Sequence, residues 1–355
     1  MPVLRPHPAP RRPAGAVVAL LLTALGPGAC ARPADAWPAV RADGAPVAVA
    51  DTVFLGATDA LTGPGAHSVT YGVVLGAEQL NRERPAGAPP FGVRTPPPGR
   101  GLGWASQVAD AARLRDDSTV VAVVGPMGSS AALDDAPVFA DADRGGARAV
   151  AALTPSASNP LVARTSPWVF RTCPSDDDAA AALARFAADS LGVRSVAVVF
   201  RNDLFGRGFT ARVAPEFARR GVRLVSRDPH LSGITRFEAY AARLARQRPA
   251  ALLLAGVGRD APDLLRAVRA AGARPVVLGT DDLSQAADLL AHDPVARDLR
   301  YVSFSPPAEA RPAPALAAFR ARYHAAYGAE PDPRAAMGYD AALVAGRAAL
   351  AALAD

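Results

Sequence analysis

The stretch TVVAVVGPMGSS (residues 119–130) carries the first clear statement of fold. Thr119 to Val124 contains no charge and is β-branched except at Ala122, the composition of a strand buried on both faces. Gly125 and Pro126 break the strand. Ser129 then opens a run that reads as a helix over 129–141. The unit is strand, glycine-rich loop, helix. In an open parallel sheet ligands bind outside the carboxyl ends of the strands, where such loops lie. Ser129 is placed to cap its helix, and the free N–H groups and dipole at that end attract a carboxylate or phosphate.

The same unit recurs along the chain. Strands are predicted at 49–55, 91–94, 149–153, 168–171, 195–200, 222–226, 250–255 and 275–278. Helices are predicted at 69–81, 105–115, 179–191, 209–220, 237–247 and 261–271. This alternation argues parallel βαβ units, so the fold class is α/β. The succession is too long for one sheet of ordinary width, and 355 residues suffice for two cores. Two doubly wound parallel-sheet lobes joined by crossovers are expected.

Three further loops carry small hydroxyls or carboxylates: TPSASNP (154–160), RTCPSD (171–176) and GTDD (279–282). Any one of them alone is an ordinary helix cap. Four in register along a two-lobed chain shift the balance toward a ligand site.

Composition narrows the chemistry. Half the residues are hydrophobic and 20% are charged, as in a globular chain. The formal charge is +6, of which Arg5, Arg11 and Arg12 supply three at the N-terminus. The remainder is spread among acidic residues, without the basic stripe that nucleic acid requires. The chain has no lysine, which excludes a P-loop lysine and Schiff-base chemistry. The two cysteines, Cys30 and Cys173, form no CxxC, and the five histidines form no metal-ligand pair. Gly99, Gly101 and Gly103 follow three prolines where a dinucleotide site needs a strand, and no GxSxG elbow is present. No enzyme, cofactor or metal is expected.

The N-terminus reads as a signal over residues 1–29: Arg11 and Arg12, an apolar run from Ala14 to Leu25, then small residues. Two exits compete. PGAC (27–30) looks like a bacterial lipoprotein box with Cys30 lipidated, and Ala34-Asp35-Ala36 fits an ordinary cut before Trp37. The lipoprotein exit is favoured. An Ala/Pro-rich tether over 30–48 follows. Secretion past the inner membrane, to the periplasm or cell surface, is expected, with membrane attachment by the lipid at most.

Several motifs then resemble one family in order. They are Ala60-Leu61-Thr62-Gly63-Pro64, VVGPMGSS (123–130), TPSASNP (154–160), FRTCPSDD (170–177), RNDLFGRGF (201–209), GTDD (279–282) and Gly338-Tyr339-Asp340-Ala341. Together they resemble the type I periplasmic substrate-binding proteins of ABC transporters, in the leucine/isoleucine/valine-binding branch, over roughly residues 50–348. The resemblance implies lobe 1 over 49–173, lobe 2 over 174–304 and a return to lobe 1 over 305–355. It implies hinge crossings near 172–176 and 303–308, a monomer, and a membrane permease as partner. Ser129 and the Ser158 hydroxyl would bind a ligand α-carboxylate, with Ser156 contributing backbone groups and Ala157 lying between them. Asp176 and Asp281 would accept from an α-ammonium. Phe205 stands in the family's Tyr place, and Val257 where some amino-acid binders have Tyr. The implied ligand is an amino acid or a related polar metabolite. A sensor using the same fold for an amide, urea or aromatic acid is the alternative.

The sequence also departs from the family. The first-loop aromatic has no clear counterpart, with Ser68 and Tyr71 nearby. Segment 84–103 is unusually proline-rich. The chain stops at Asp355 just after the GYDA helix, so either a C-terminal truncation or a bare sheet edge is expected.

Overall fold

The computed structural model describes residues 51–59, 68–97, 104–286, 290, 293–296, 299–304 and 312–354. The signal and tether, the ALTGP loop, the glycine run at 99–103 and the crossing at 305–308 lie outside the described residues.

The first sheet is built from β1 (Val53–Ala57), β2 (Phe91–Arg94), β3 (Val120–Val124), β4 (Ala152–Thr154) and β5 (Val169–Arg171). All pairings are parallel, in the order β2-β1-β3-β4-β5. Helices α1 (Ser68–Glu83), α2 (Trp104–Asp116) and α3 (Ser129–Phe139) connect or follow its strands. β3 is buried at every position, as its uninterrupted apolar run requires.

A second parallel sheet, in the order β10-β9-β8-β6-β7, follows in the chain. Its strands are β6 (Ser195–Arg201), β7 (Arg223–His230), β8 (Ala251–Ala255), β9 (Val276–Gly279) and β10 (Leu299–Tyr301). Helices α4 (Asp176–Arg185), α5 (Leu204–Arg219), α6 (Glu238–Gln247) and α7 (Ala261–Ala270) flank it. Leu252 and Leu254 of β8 pack into one core layer and Leu253 into the other, so both faces of this strand are covered. The expected α/β architecture of two doubly wound parallel lobes is what the chain adopts.

Two last helices, α8 (Pro314–Tyr327) and α9 (Pro333–Ala354), return to the first sheet. Ala341, Ala342, Ala345 and Ala349 of α9 share a core with Val69, Val73 and Ala77 of α1. The two helices meet through small residues on both sides. A Cβ placed on Gly72 would lie 1.9 Å from the Ala335 carbonyl oxygen, and one on Gly338 would lie 2.4 Å from that of Val69. Tyr71 stacks on Tyr327 with ring centroids 4.3 Å apart, in an aromatic cluster that includes Phe319 and Tyr323.

Several boundaries differ from expectation for local reasons. α3 stops at Phe139, because Asp141 takes a left-handed φ of 51° and its carboxylate accepts from the Arg148 N–H at 2.9 Å. α4 begins at Asp176 instead of 179: Ser175 and Asp178 form a reciprocal capping box, so three successive aspartates form the first turn. α5 begins at Leu204 instead of 209, because Asp203 caps it by accepting from the Gly206 N–H at 2.8 Å. β10 was not expected; it pairs with β9 along three residues.

Candidate functional site

The carboxyl ends of the strands in both sheets open onto one cavity of about 360 Å³. This is at the lower end of the usual range for small-molecule sites, roughly 300–1,000 Å³. Gln107, Met127, Gly128, Ser129, Ser130, Ala131, Asp134 and Ser156 line it from the first lobe. Arg201, Asp203, Phe205, Asp281 and Asp282 line it from the second, and Arg334 comes from the start of α9.

The first-lobe wall is stitched together by its own hydroxyls. Thr154 Oγ1 donates to the Pro126 carbonyl at 2.6 Å and accepts from the Ala157 N–H at 3.0 Å. The Ser156 hydroxyl donates to the Met127 carbonyl. Ser129 is not the helix cap: Gly128 occupies that position without a side-chain bond, and Ser129 is the first helical residue. Its hydroxyl accepts from the Asn159 N–H at 3.2 Å. The N–H groups of this first turn have no intrahelical acceptor, as at any helix start. Gly125, before the loop, has a φ of 129°, and a Cβ there would fall 2.2 Å from Thr58 Oγ1. The backbone turn therefore needs glycine.

The second-lobe wall is acidic. Asp282 is 5% exposed and fully engaged: it accepts from the Gly256 N–H at 3.2 Å, from the Gly258 N–H and from the Thr280 hydroxyl. Asp203 binds Arg201 Nε at 2.5 Å. Asp281 begins the turn after β9. Its low-dielectric surroundings, and next the Asp282 charge, push its pKa up to about 7, against the pull of Arg334. Behind the first-lobe wall Asp135 is fully buried, with Oδ2 3.2 Å from Gln107 Nε2, and burial pushes its pKa up to about 7.

The other expected residues fall as follows. Ala157 is fully buried in the first-lobe core. Ser158 is buried; its carbonyl accepts from the Asp176 N–H at 3.0 Å, and its side chain bonds the Asp176 carboxylate. Asp176 is 1% exposed, with one carboxylate oxygen unpartnered. Desolvation pushes its pKa up to about 6, and its charge is one of those felt at Asp281. Helix capping does not account for Asp176, since Ser175 is the cap. Phe205 lines the cavity, with its ring against Phe209. Val257 does not line it: the side chain is 3% exposed and packs into the second-lobe core. Gly256 turns the chain there with a φ of 76°, and Phe205 and Arg201 lie 3.2 Å from where its Cβ would stand. Cys173 is a buried free thiol whose pKa burial pushes up to about 12. We expect it to resist alkylation at pH 8 in the native protein and to react within minutes in denaturant, which a thiol titration checks.

Sequence reasoning missed Gln107, Asp134, Arg201, Asp203, Asp282 and Arg334 as lining residues. Arg201, Asp203 and Asp282 sit inside motifs already singled out, so proximity was the available signal. Arg334 is separated from the first-lobe wall by the whole second lobe and left no local signal.

Residues 52–355 match the family model described as periplasmic binding protein. The chain belongs to that family. This periplasmic binding protein is 27% identical over 166 residues to an amino acid binding protein of Pseudomonas aeruginosa, a match covering 46% of this chain and 43% of the relative. The chain thus spans less than half the length of that curated relative. A branched-chain amino acid transporter substrate binding protein of Streptococcus pneumoniae, solved in complex with isoleucine, superposes with a TM-score of 0.73 at 20% identity, over 84% of each chain. A solute binding protein of an ABC transporter from Rhodopseudomonas palustris, solved with 3,4-dihydroxy benzoic acid, gives 0.65 at 18% identity, over 84% of this chain and 80% of that one. These likenesses carry the type I fold. The family model and these solved neighbours are of binding proteins, the class the sequence led us to expect.

Proposed function

We propose that the protein is an extracytoplasmic solute-binding protein that closes on an amino acid in the cleft and delivers it to an ABC transporter permease. The observation that carries this reading is the opposed polarity of the cavity. The first lobe presents a helix start and serines, with Asp134 further along the same helix; the second presents Asp281, its Arg201 being tied to Asp203. A zwitterion meets donors at one end and a carboxylate at the other, and an unpaired buried charge at either end would cost several kcal/mol. Asp176, whose charge is felt at Asp281, adds negative potential on that side. Hinge crossings near 172–176 and 303–308, lobe boundaries at 174 and 305, a monomeric state and lipidation of Cys30 belong to the same proposal. The signal-like N-terminus and the family membership support them.

The test is a thermal-shift screen of residues 37–355 against amino acids, amides, urea and aromatic acids. A ligand at about 100 times its Kd adds roughly 2.7 kcal/mol of stability. At about 2–4 °C per kcal/mol that is a rise of several degrees. A shift confined to one amino-acid group supports the reading; a folded protein with no amino-acid response sinks it.

The aromatic-acid reading is kept because a neighbour of this fold was solved with such a ligand, and pH separates the two. An ammonium binds the ionised form of Asp281, whose pKa is about 7. Amino-acid affinity is therefore expected to fall about tenfold from pH 8 to pH 6. A plain carboxylate binds the protonated form better, so its affinity would rise over the same interval. The ligand-free protein has its own sign. Asp281 and Asp135 hold their protons in the folded state up to about pH 7. Their contribution to stability is thus present below the unfolded carboxyl pKa and is lost as pH rises through about 7.

A further inference from the structure

Two of the expected first-lobe hydroxyls are poorer carboxylate donors than their positions suggest, while Ser129, which only accepts from the Asn159 N–H, keeps its hydrogen to donate. Ser156 already donates to Met127, and the Ser158 side chain is engaged by Asp176. One cation on the cavity wall is uncommitted. Arg334 is half-buried and makes no hydrogen bond or ion pair among the described residues, whereas Arg201 is tied to Asp203. The backbone that carries Arg334 is anchored. It is the second residue of the 22-residue helix α9, and the preceding Asp332 accepts from the Ala335 N–H at 2.9 Å and from the Ser68 hydroxyl at 2.5 Å. The positive end of the α9 dipole adds to its attraction for an anion. Across the cleft stands Asp281, on the other lobe and lining the same cavity. The two charges are close enough for Arg334 to act on Asp281, yet they form no ion pair.

We propose that Arg334 binds the carboxylate of the amino acid whose ammonium Asp281 accepts, so that the head group is held between opposite charges from the two lobes. The inference rests on the amino-acid reading above. Each charge then gains a partner on closure, and a guanidinium can grip a carboxylate with two parallel hydrogen bonds. The ligand also becomes the bridge that draws the lobes together, since neither residue reaches the other without it.

The test compares acids with their amides. The twenty L-amino acids are screened by thermal shift. For those that respond, the free acid and its α-carboxamide are titrated by calorimetry into the wild-type protein and into Arg334→Met, Arg334→Gln and Arg334→Lys. Loss of the guanidinium is expected to weaken the free acid about 10- to 100-fold and the carboxamide less than threefold. Arg334→Lys should recover part of the loss. Because Arg334 bonds to no described residue, the ligand-free melting point should move little; Arg334→Gln serves if the Met variant folds poorly. Unchanged affinity for the acid overturns the proposal. So does an equal loss for acid and amide, which would mean that Arg334 acts only through the charge of Asp281. In either case the amino-acid reading survives. If no amino acid shifts the wild-type protein, that reading falls, and this one with it.

Discussion

Asp281→Asn is expected to weaken amino-acid binding by about 30-fold or more while leaving the fold intact. The substitution keeps the shape of the side chain and removes its charge. The ammonium then loses a charge-assisted bond and is left desolvated, a change that costs about 2–5 kcal/mol at buried charged contacts. Stability should not suffer. Asp281 stands beside Asp282, and its surroundings already disfavour its ionised form, pushing its pKa up to about 7. Removing that charge relieves a penalty that is greatest above pH 7. The ligand-free variant should therefore melt at the wild-type temperature or somewhat above it at pH 8. The variant should also lose the fall in affinity between pH 8 and pH 6. Calorimetric titration at the two pH values, with a melting curve of each protein, reads all three effects. Wild-type affinity in the variant would remove the ammonium role from Asp281.

Gly72→Ala is expected to lower stability by about 3 kcal/mol, at the upper end of the overpacking range. For a chain of this size that is a fall in melting temperature of roughly 6–12 °C. On an exposed helix the same change would stabilise by up to about 1 kcal/mol, because alanine is the better helix former. Here the added methyl would sit 1.9 Å from the Ala335 carbonyl oxygen, a backbone atom that cannot swing aside. The only relief is to push α9 away from α1. Gly76, where a Cβ would meet Ala342 at 2.6 Å, and Gly338 and Gly346 on α9 would then lose their contacts together. Binding should suffer too, because Arg334 rides on the first turn of α9 next to Ala335. Thermal melts and a binding titration report the two effects separately. A melting point at or above wild type would show that the helices are not packed this closely.

Much of the fold was legible in the chain because its signals are local. Runs such as TVVAVV, SVAVVF and ALLLA read as strands covered on both faces, and helices between them argue parallel pairing and two sheets. The loops that line the cavity lie at strand ends for the same reason, so the loops holding Ser129, Ser156 and Asp281 could be marked from pattern, whereas Phe205 was implied only by the family resemblance; all four residues line the cavity. Where a helix starts was less legible: DDD at 176–178 and LFGRG at 204–208 look like loop residues until a cap at Ser175 or Asp203 makes them a first turn.

Direction and pairing belong to the tertiary structure. Val257 and Phe205 are both apolar and both follow a strand, but a left-handed turn at Gly256 sends Val257 into the core while Phe205 faces the cavity. The sequence by itself determined the α/β class, the two parallel sheets and the loops at which a ligand would be sought. These follow from hydrophobic period and turn chemistry within a few residues. Only the tertiary structure decided which hydroxyls are already bonded, which carboxyls are driven toward neutrality, and that Arg334 shares a cavity with Asp281. Those properties depend on burial and on distances between residues far apart in the chain, which no local pattern encodes.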